Sequence, residues 1–310
     1  MEIVLGLLIV GSVALDTIET PYDKIDNALG GSTTYISVAS SYFTDPVDII
    51  GVVGDDFDEA HIKMLKRHNI GMDGLQIIKG GKTFRWGGRY HENFNVRDTL
   101  FTDLNVFETF DPKIPENLRN AEYVVLGNIH PALQMNVLDQ MNDPEFIVCD
   151  TMNLWIDISK NELLEVIKRV DILIINDSEA QMLSGEPNII KAAKMIQDMG
   201  PEYLIIKKGE HGALLFGDDN IFSAPAFPMF NVFDPTGAGD TFAGGFAGYL
   251  HKKKDLSFES MKQAVIYGST LASFCVEKFS TKGIEDLPKE KIYERFTAFR
   301  DLSRFEDGQL

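Results

Sequence analysis

Asn231-Val232-Phe233-Asp234-Pro235-Thr236-Gly237-Ala238-Gly239-Asp240-Thr241-Phe242 runs directly into an apolar, helix-like stretch that ends at Leu250. Its small residues open a turn in which the backbone N–H groups of Gly237, Ala238 and Gly239 can approach an anion, and the helix that follows adds its positive N-terminal end. A carboxylate in that first turn is placed to accept the proton of an attacking hydroxyl while the amides stabilise charge on a transferring phosphoryl group. Asp240 is the candidate general base, and Gly237, Ala238 and Gly239 form the candidate anion hole. Alone, an Asp at a helix start more often complements the helix dipole; the glycines around this one favour chemistry. Gly244, Gly245 and Gly248 suit close packing of the helix on its neighbours.

Outward from this turn, short Val- and Ile-rich runs recur at Ile3 to Val10, Val47 to Val53, Tyr123 to Gly127, Phe146 to Cys149, Ile172 to Ile175 and Tyr203 to Ile206. They read as buried strands. Helical spacing separates them at Asp56 to His68, Pro131 to Met141, Leu163 to Val170 and Ile189 to Met199, so the fold class is α/β with a mostly parallel sheet covered on both faces. Two segments break the rhythm, about 13–29 and 76–107. The second alternates polar residues with Phe84, Trp86, Tyr90, Phe94, Phe101 and Phe107. Their alternation suggests a small β lid inserted in one domain spanning 1–310, with an extension of the main sheet as the competing reading.

Composition narrows the class of activity. The 310 residues are 44% hydrophobic and 25% charged, enough to bury a substantial core. A net charge of −18, with the basic clusters at Lys207-Lys208 and Lys252-Lys253-Lys254 too short to form a stripe, disfavours nucleic-acid binding. No run approaches the roughly 20 apolar residues of a membrane span. Glu2 stands where a secretory signal would carry basic charge, so Ile3 to Val10 reads as a first strand. Cys149 and Cys275, each in an apolar segment, read as reduced, buried thiols, and the cytoplasm is the simplest setting.

With these motifs in hand, the sequence resembles the PfkB, or ribokinase-like, family of sugar and nucleoside kinases. That family's signature is Asp, Thr, any residue, Gly, Ala, Gly, Asp; here Pro235 replaces the Thr. The resemblance covers nearly the whole chain and implies a three-layer α/β/α domain with a β lid. It assigns the base to Asp240 and the anion hole to Gly237, Ala238 and Gly239. It also implies ATP and Mg²⁺ as cofactors and a monovalent-cation (K⁺) site beside Asp234, which by itself reads as a turn Asp before proline.

Further carry-overs fall on both sides of the cleft. Gly30 and Gly31 match a pair that lies against the substrate, and Asp16 matches a carboxylate that holds a diol, as paired acceptor oxygens should. Tyr35 and Ala14 stand where ribokinases have Asn, which alters the contacts to a free sugar. Asn176 and Glu179 match the motif that organises Mg²⁺, Glu179 acting through water; from spacing alone they equally form a helix capping box. Lys207, Gly209 and Gly212 match the turn near the ATP phosphates, with Lys207 in the place of a Thr, and Gly283 lies in the loop that borders adenine. Asp150, at a strand end facing the same cleft, is left between substrate binding and turn capping.

The acceptor is expected to be a nucleoside, through stacking on Phe84, Trp86 or Tyr90, with a sugar second. A sugar phosphate held by Arg85, Arg89 and Arg97, or a catalytically idle nucleotide-binding regulator, are the alternatives. An aromatic lid also suits a homodimer. Gly81-Lys82-Thr83 mimics the end of a P-loop but lacks its first glycine and its helix.

Overall fold

The computed structural model describes residues 6–304. Ile3 to Leu5 of the expected first strand lie outside them. Its strands are β1 (Leu7–Val10), β2 (Ala14–Glu19), β3 (Lys24–Gly30), β4 (Val47–Gly54), β5 (Ile70–Ile78), β6 (Phe84–Tyr90), β7 (Arg97–Asp103), β8 (Tyr123–Leu126), β9 (Phe146–Asp150), β10 (Ile172–Asn176), β11 (Tyr203–Lys207), β12 (Ala213–Gly217) and β13 (Asn220–Ala224).

Nine of them form one sheet in the order β13-β12-β11-β10-β9-β8-β1-β4-β5. Pairing is parallel from β11 to β5 and antiparallel at the β11-β12-β13 edge. Continuous Val/Ile runs serve these strands because both faces are buried. Ile9, Ile174 and Ile205 pack with Ile36, Phe246 and Leu271 on one face. Leu8, Leu173 and Ile175 pack with Val137, Leu163 and Ala180 on the other. Three layers result, as the alternating strand and helix patterns require.

One helix pair matters for the site. A Cβ at Gly244 would lie 2.3 Å from the Ile36 carbonyl oxygen, and one at Gly248 would lie 2.7 Å from Ser40 Cα. The helix Ala238–Lys253 therefore lies backbone-to-backbone on the helix Ser32–Ser40, and Ser40 Oγ donates to the Gly244 carbonyl at 2.9 Å. That contact brings Tyr35 under the Gly237 turn.

The second sheet, β3-β2-β6-β7, is the lid. It begins later than the alternating pattern suggests: Gln76, Ile77 and Ile78 pair with Val52, Val53 and Gly54 and so complete β5 in the main sheet. Between β5 and β6 the P-loop mimic is structural. Thr83 is buried, its N–H and hydroxyl both donate to Asp56 Oδ1 at 2.7 Å, and its oxygen accepts from the Gly54 N–H.

Candidate active site

Three neighbouring strands end together at the carboxyl edge of the sheet, where α/β folds bind ligands. Asp150 closes β9, Asn176 closes β10 and Lys207 closes β11, with Asn176 and Lys207 directly in register. Opposite them stands the N-terminus of the helix Ala238–Lys253, with Asp240 in its first turn.

The turn before that helix requires glycine. Gly237 has φ 74°, and a Cβ there would lie 2.3 Å from the Tyr35 ring. Asp234, fully buried, fixes the preceding loop: its Oδ1 accepts the Thr236 N–H at 2.9 Å and its Oδ2 accepts the Ser280 N–H at 3.0 Å. Burial raises its pKa while those two bonds pull it back. Both oxygens of Asp234 thus hold backbone, which is the role that a turn Asp before proline would have.

Lys207 reaches across the cleft. Its Nζ lies 3.2 Å from Asp150 Oδ1, and a Cβ on Gly239 would lie only 3.0 Å from the same nitrogen. An ammonium therefore sits against the anion-hole turn. Burial acts to lower the Lys207 pKa, but the carboxylates of Asp150, Glu179 and Asp240 outweigh it and the net shift is upward. Asp240 itself is pushed up to about 7, by burial first and by the Asp150 charge second; Lys207 opposes this and Glu179 adds to it.

On the lid side, Asp16 is 4% exposed, and a Cβ on Gly30 would lie 2.0 Å from its Oδ2. Only a glycine at 30 leaves room for that carboxyl. Burial, with Asp234 and Asp240 nearby, lifts the Asp16 pKa to about 8. Gly31 adopts φ 89° at the start of the helix Ser32–Ser40, and Ser12 and Ser32 exchange N–H to hydroxyl bonds of 3.2 and 3.1 Å across the same junction. Tyr35 is 1% exposed, and its hydroxyl has no hydrogen-bond partner among the described residues. It lies near Asp234, Asp16 and Asp240, so its phenol stands between the carboxyl of the lid and that of the helix.

Asn176 and Glu179 form the capping box: Asn176 Oδ1 accepts the Glu179 N–H, and Glu179 Oε2 accepts the Asn176 N–H, both at 2.8 Å. Glu179 nevertheless faces the charge cluster. Burial lifts its pKa to about 7, against the pull of Lys207. Gly209 and Gly212 shape the turn from β11 to β12 with φ 53° and 84°. Gly283 is buried, and a Cβ there would lie 2.2 Å from the Phe274 carbonyl, so close packing explains that glycine.

Two features of the site escape a reading by spacing. Asp150 is a charge partner inside the cleft instead of a turn cap. The lid also touches the anion-hole loop directly, because Thr236 Oγ1 donates to the Tyr90 hydroxyl at 3.1 Å. Of the lid arginines, Arg85 pairs with Asp56 at 3.0 Å and Arg89 with Glu19 at 2.7 Å, whereas Arg97 lies over the Trp86 ring at 5.1 Å. Among the described residues no group of three or more His, Cys, Asp or Glu could hold a metal by itself. A groove of about 700 Å³ beside Asp111, Met135 and Glu162 shares no residue with this cleft.

The sequence matches the pfkB family carbohydrate kinase pattern over residues 6–288. The chain belongs to the pfkB family. It is 29% identical to a cytidine kinase of Thermococcus kodakarensis, across 79% of this chain and 88% of that protein. Identity to a deoxyribokinase of Salmonella typhimurium is 35%, across 82% and 84%. The crystal structure of the Methanocaldococcus jannaschii nucleoside kinase superposes with a TM-score of 0.76 at 22% identity, covering 95% of this chain and 99% of that one, and shares the fold. As a pfkB-family member, the chain is an ATP-dependent kinase that phosphorylates a hydroxyl group. None of the helices among the described residues is long and apolar enough to cross a membrane.

Proposed function

We propose that this pfkB-family kinase moves the γ-phosphoryl group of ATP onto a hydroxyl of a nucleoside, with Asp240 as the base. The observation that carries the reading is the position of Asp240 on the first helical turn, beside an anion hole against which the Lys207 ammonium rests. Asp240 accepts the proton of the acceptor hydroxyl as that oxygen attacks phosphorus in line. The amides of Gly237, Ala238 and Gly239, aligned with the helix N-terminus, stabilise the growing negative charge. Asn176, Glu179, Gly209 and Gly212 border the phosphate side, and the Gly283 loop borders the adenine side. Glu179 would hold Mg²⁺, which would supply neutralisation of the phosphate charge. A monovalent cation such as K⁺ beside the Asp234 loop would act through backbone carbonyls, since both carboxylate oxygens of Asp234 are engaged.

Acceptor recognition falls to Asp16, Gly30, Gly31 and Tyr35. With its pKa near 8, Asp16 keeps a proton at neutral pH, so its carboxyl both donates and accepts a hydrogen bond, a match for two vicinal hydroxyls. The buried hydroxyl of Tyr35 offers a further bond. A base is favoured over a bare sugar by the aromatic groups that join the lid to the loop before Gly237: Tyr22 lies 6.1 Å from Phe94 and 6.3 Å from Phe233, and Tyr90 lies 6.2 Å from Phe94. The names of the cytidine and nucleoside kinases among the relatives support the same choice. A cytoplasmic setting agrees with two free, buried cysteines. A sugar phosphate is the second reading, because Arg97 alone of the three lid arginines is not tied to a carboxylate among the described ion pairs.

Measuring ADP production with ATP, Mg²⁺ and a panel of nucleosides, free sugars and sugar phosphates tests the choice. Turnover is expected with nucleosides at the highest kcat/KM. A preference for sugar phosphates that Arg97→Ala abolishes would replace this reading with the second.

A further inference from the structure

Lys207 and Asp150 form a largely buried ion pair at the carboxyl edge of the main sheet. Each is the last residue of its strand, and β10 lies between them. The Lys207 side chain crosses that gap to stand 3.2 Å from Asp150 Oδ1, with its Nζ 3.0 Å from where a Gly239 Cβ would be. A side chain at 239 would displace the ammonium. Ion pairs on the surface contribute little, whereas a pair with 19% and 8% side-chain exposure keeps a strong local field.

We infer that Asp150 is a positioning residue that holds the Lys207 ammonium against the Gly237–Asp240 turn, so that the protein carries its own cation beside the base, and that the pair sets the pH range in which Asp240 works. This rests on the reading of Asp240 as the base. The charged and titratable groups that face Asp240 are Asp150 from β9, Lys207 from β11, Glu179 from the helix Asp177–Ser184, Asp16 from β2, Tyr35 from the helix Ser32–Ser40 and Cys275 from the helix Phe258–Cys275. Among the described residues Lys207 is the cation of that set, while Arg97 from β7 acts on Asp16 and Glu179. A net charge of −18 makes it costly to bring ATP to this edge, and a fixed ammonium offsets the repulsion where it is strongest.

The two members of the pair act on Asp240 with opposite sign, and a purely structural role would not. Lys207→Met removes the cation, so the acid limb of the kcat/KM profile is expected to move up by about one pH unit. Asp150→Asn removes an anion of the same size, so that limb moves down by about as much, while kcat falls roughly tenfold as the ammonium loses its anchor. The double variant should lie between the two. Carboxyl-carbon NMR titration of Asp240 in the ligand-free protein, assigned by comparison with Asp240→Asn, is expected to shift in the same two directions. Circular dichroism checks folding, and the near-isosteric Asp150→Asn decides the matter if Lys207→Met does not fold. An unchanged acid limb and an unchanged Asp240 titration in Asp150→Asn would overturn the inference. If Asp240→Asn meanwhile abolishes turnover, the base assignment stands and only the role of the pair falls.

Discussion

Asp16 holds a proton in the folded protein that the unfolded chain gives up: burial lifts its pKa from 3.8 to about 8. For a carboxyl raised in the folded state, its contribution to stability is full below the unfolded pKa and is lost as pH rises through the folded one. Glu179 and Asp240, both raised to about 7, act with the same sign. The melting temperature of the ligand-free protein is therefore expected to fall between about pH 4 and about pH 8, and Asp16→Asn, which has no proton to lose, should flatten part of that fall. The same variant is expected to lower kcat/KM for the acceptor by roughly tenfold or more, since a hydrogen-bonding carboxyl is lost from a buried site. Parallel melting curves for the two proteins across this range would contradict the burial of Asp16. At this scale the sequence was informative where chemistry demands a residue type. Asp240 and its glycines were legible because a turn, a helix start and a carboxylate coincide within four residues. Asp150 was not, because a strand-end Asp has the same local spacing whether it caps a turn or meets a lysine two strands away.

The helix Ala238–Lys253 joins the site to the core. Gly244 and Gly248 set its contact with the helix Ser32–Ser40, and that contact delivers the Tyr35 ring to the underside of Gly237. Gly237→Ala meets two obstacles there, a left-handed φ of 74° and the ring at 2.3 Å. The backbone term alone costs about 1–2 kcal/mol. Thermal melting should fall accordingly, and kcat is expected to drop at least about tenfold because the anion-hole amides no longer align. Normal kcat in a folded Gly237→Ala protein would detach the turn from the chemistry. Main-sheet strands and their flanking helices could be read from Val/Ile runs and helical spacing, since burial on both faces leaves that pattern. The lid boundary could not be read from alternation: Gln76 to Ile78 alternate like a lid strand, yet they pair with β4. Pairing partners, not periodicity, decide to which sheet such residues belong.

Across the whole molecule, a strongly acidic protein gathers Asp16, Asp150, Glu179 and Asp240 around the Lys207 ammonium in one place, between three strand ends, one helix N-terminus and the lid. The lid is tied to that cleft at two points. Tyr90 meets Thr236, and Asn95, in the loop between β6 and β7, donates through Nδ2 to both carboxylate oxygens of Glu210 at 3.1 Å each. Glu210 belongs to the turn after β11, so the second tie joins the lid to the strand end that carries Lys207. Asn95→Ala should leave the melting temperature unchanged, because the bond is exposed, and should raise acceptor-independent ATP hydrolysis by about twofold to fivefold as water gains entry. Hydrolysis at the wild-type rate would show that this bond does not govern closure. In the proposed mechanism the proton of the acceptor hydroxyl passes to Asp240. The direct test of that transfer is the pH dependence of kcat/KM, read from ADP formation, for wild type and Asp240→Asn. Wild type should show an acid limb near pH 7, and Asp240→Asn should turn over at least about a hundredfold more slowly with the limb absent. A folded Asp240→Asn enzyme with near-normal turnover and the same limb would contradict it.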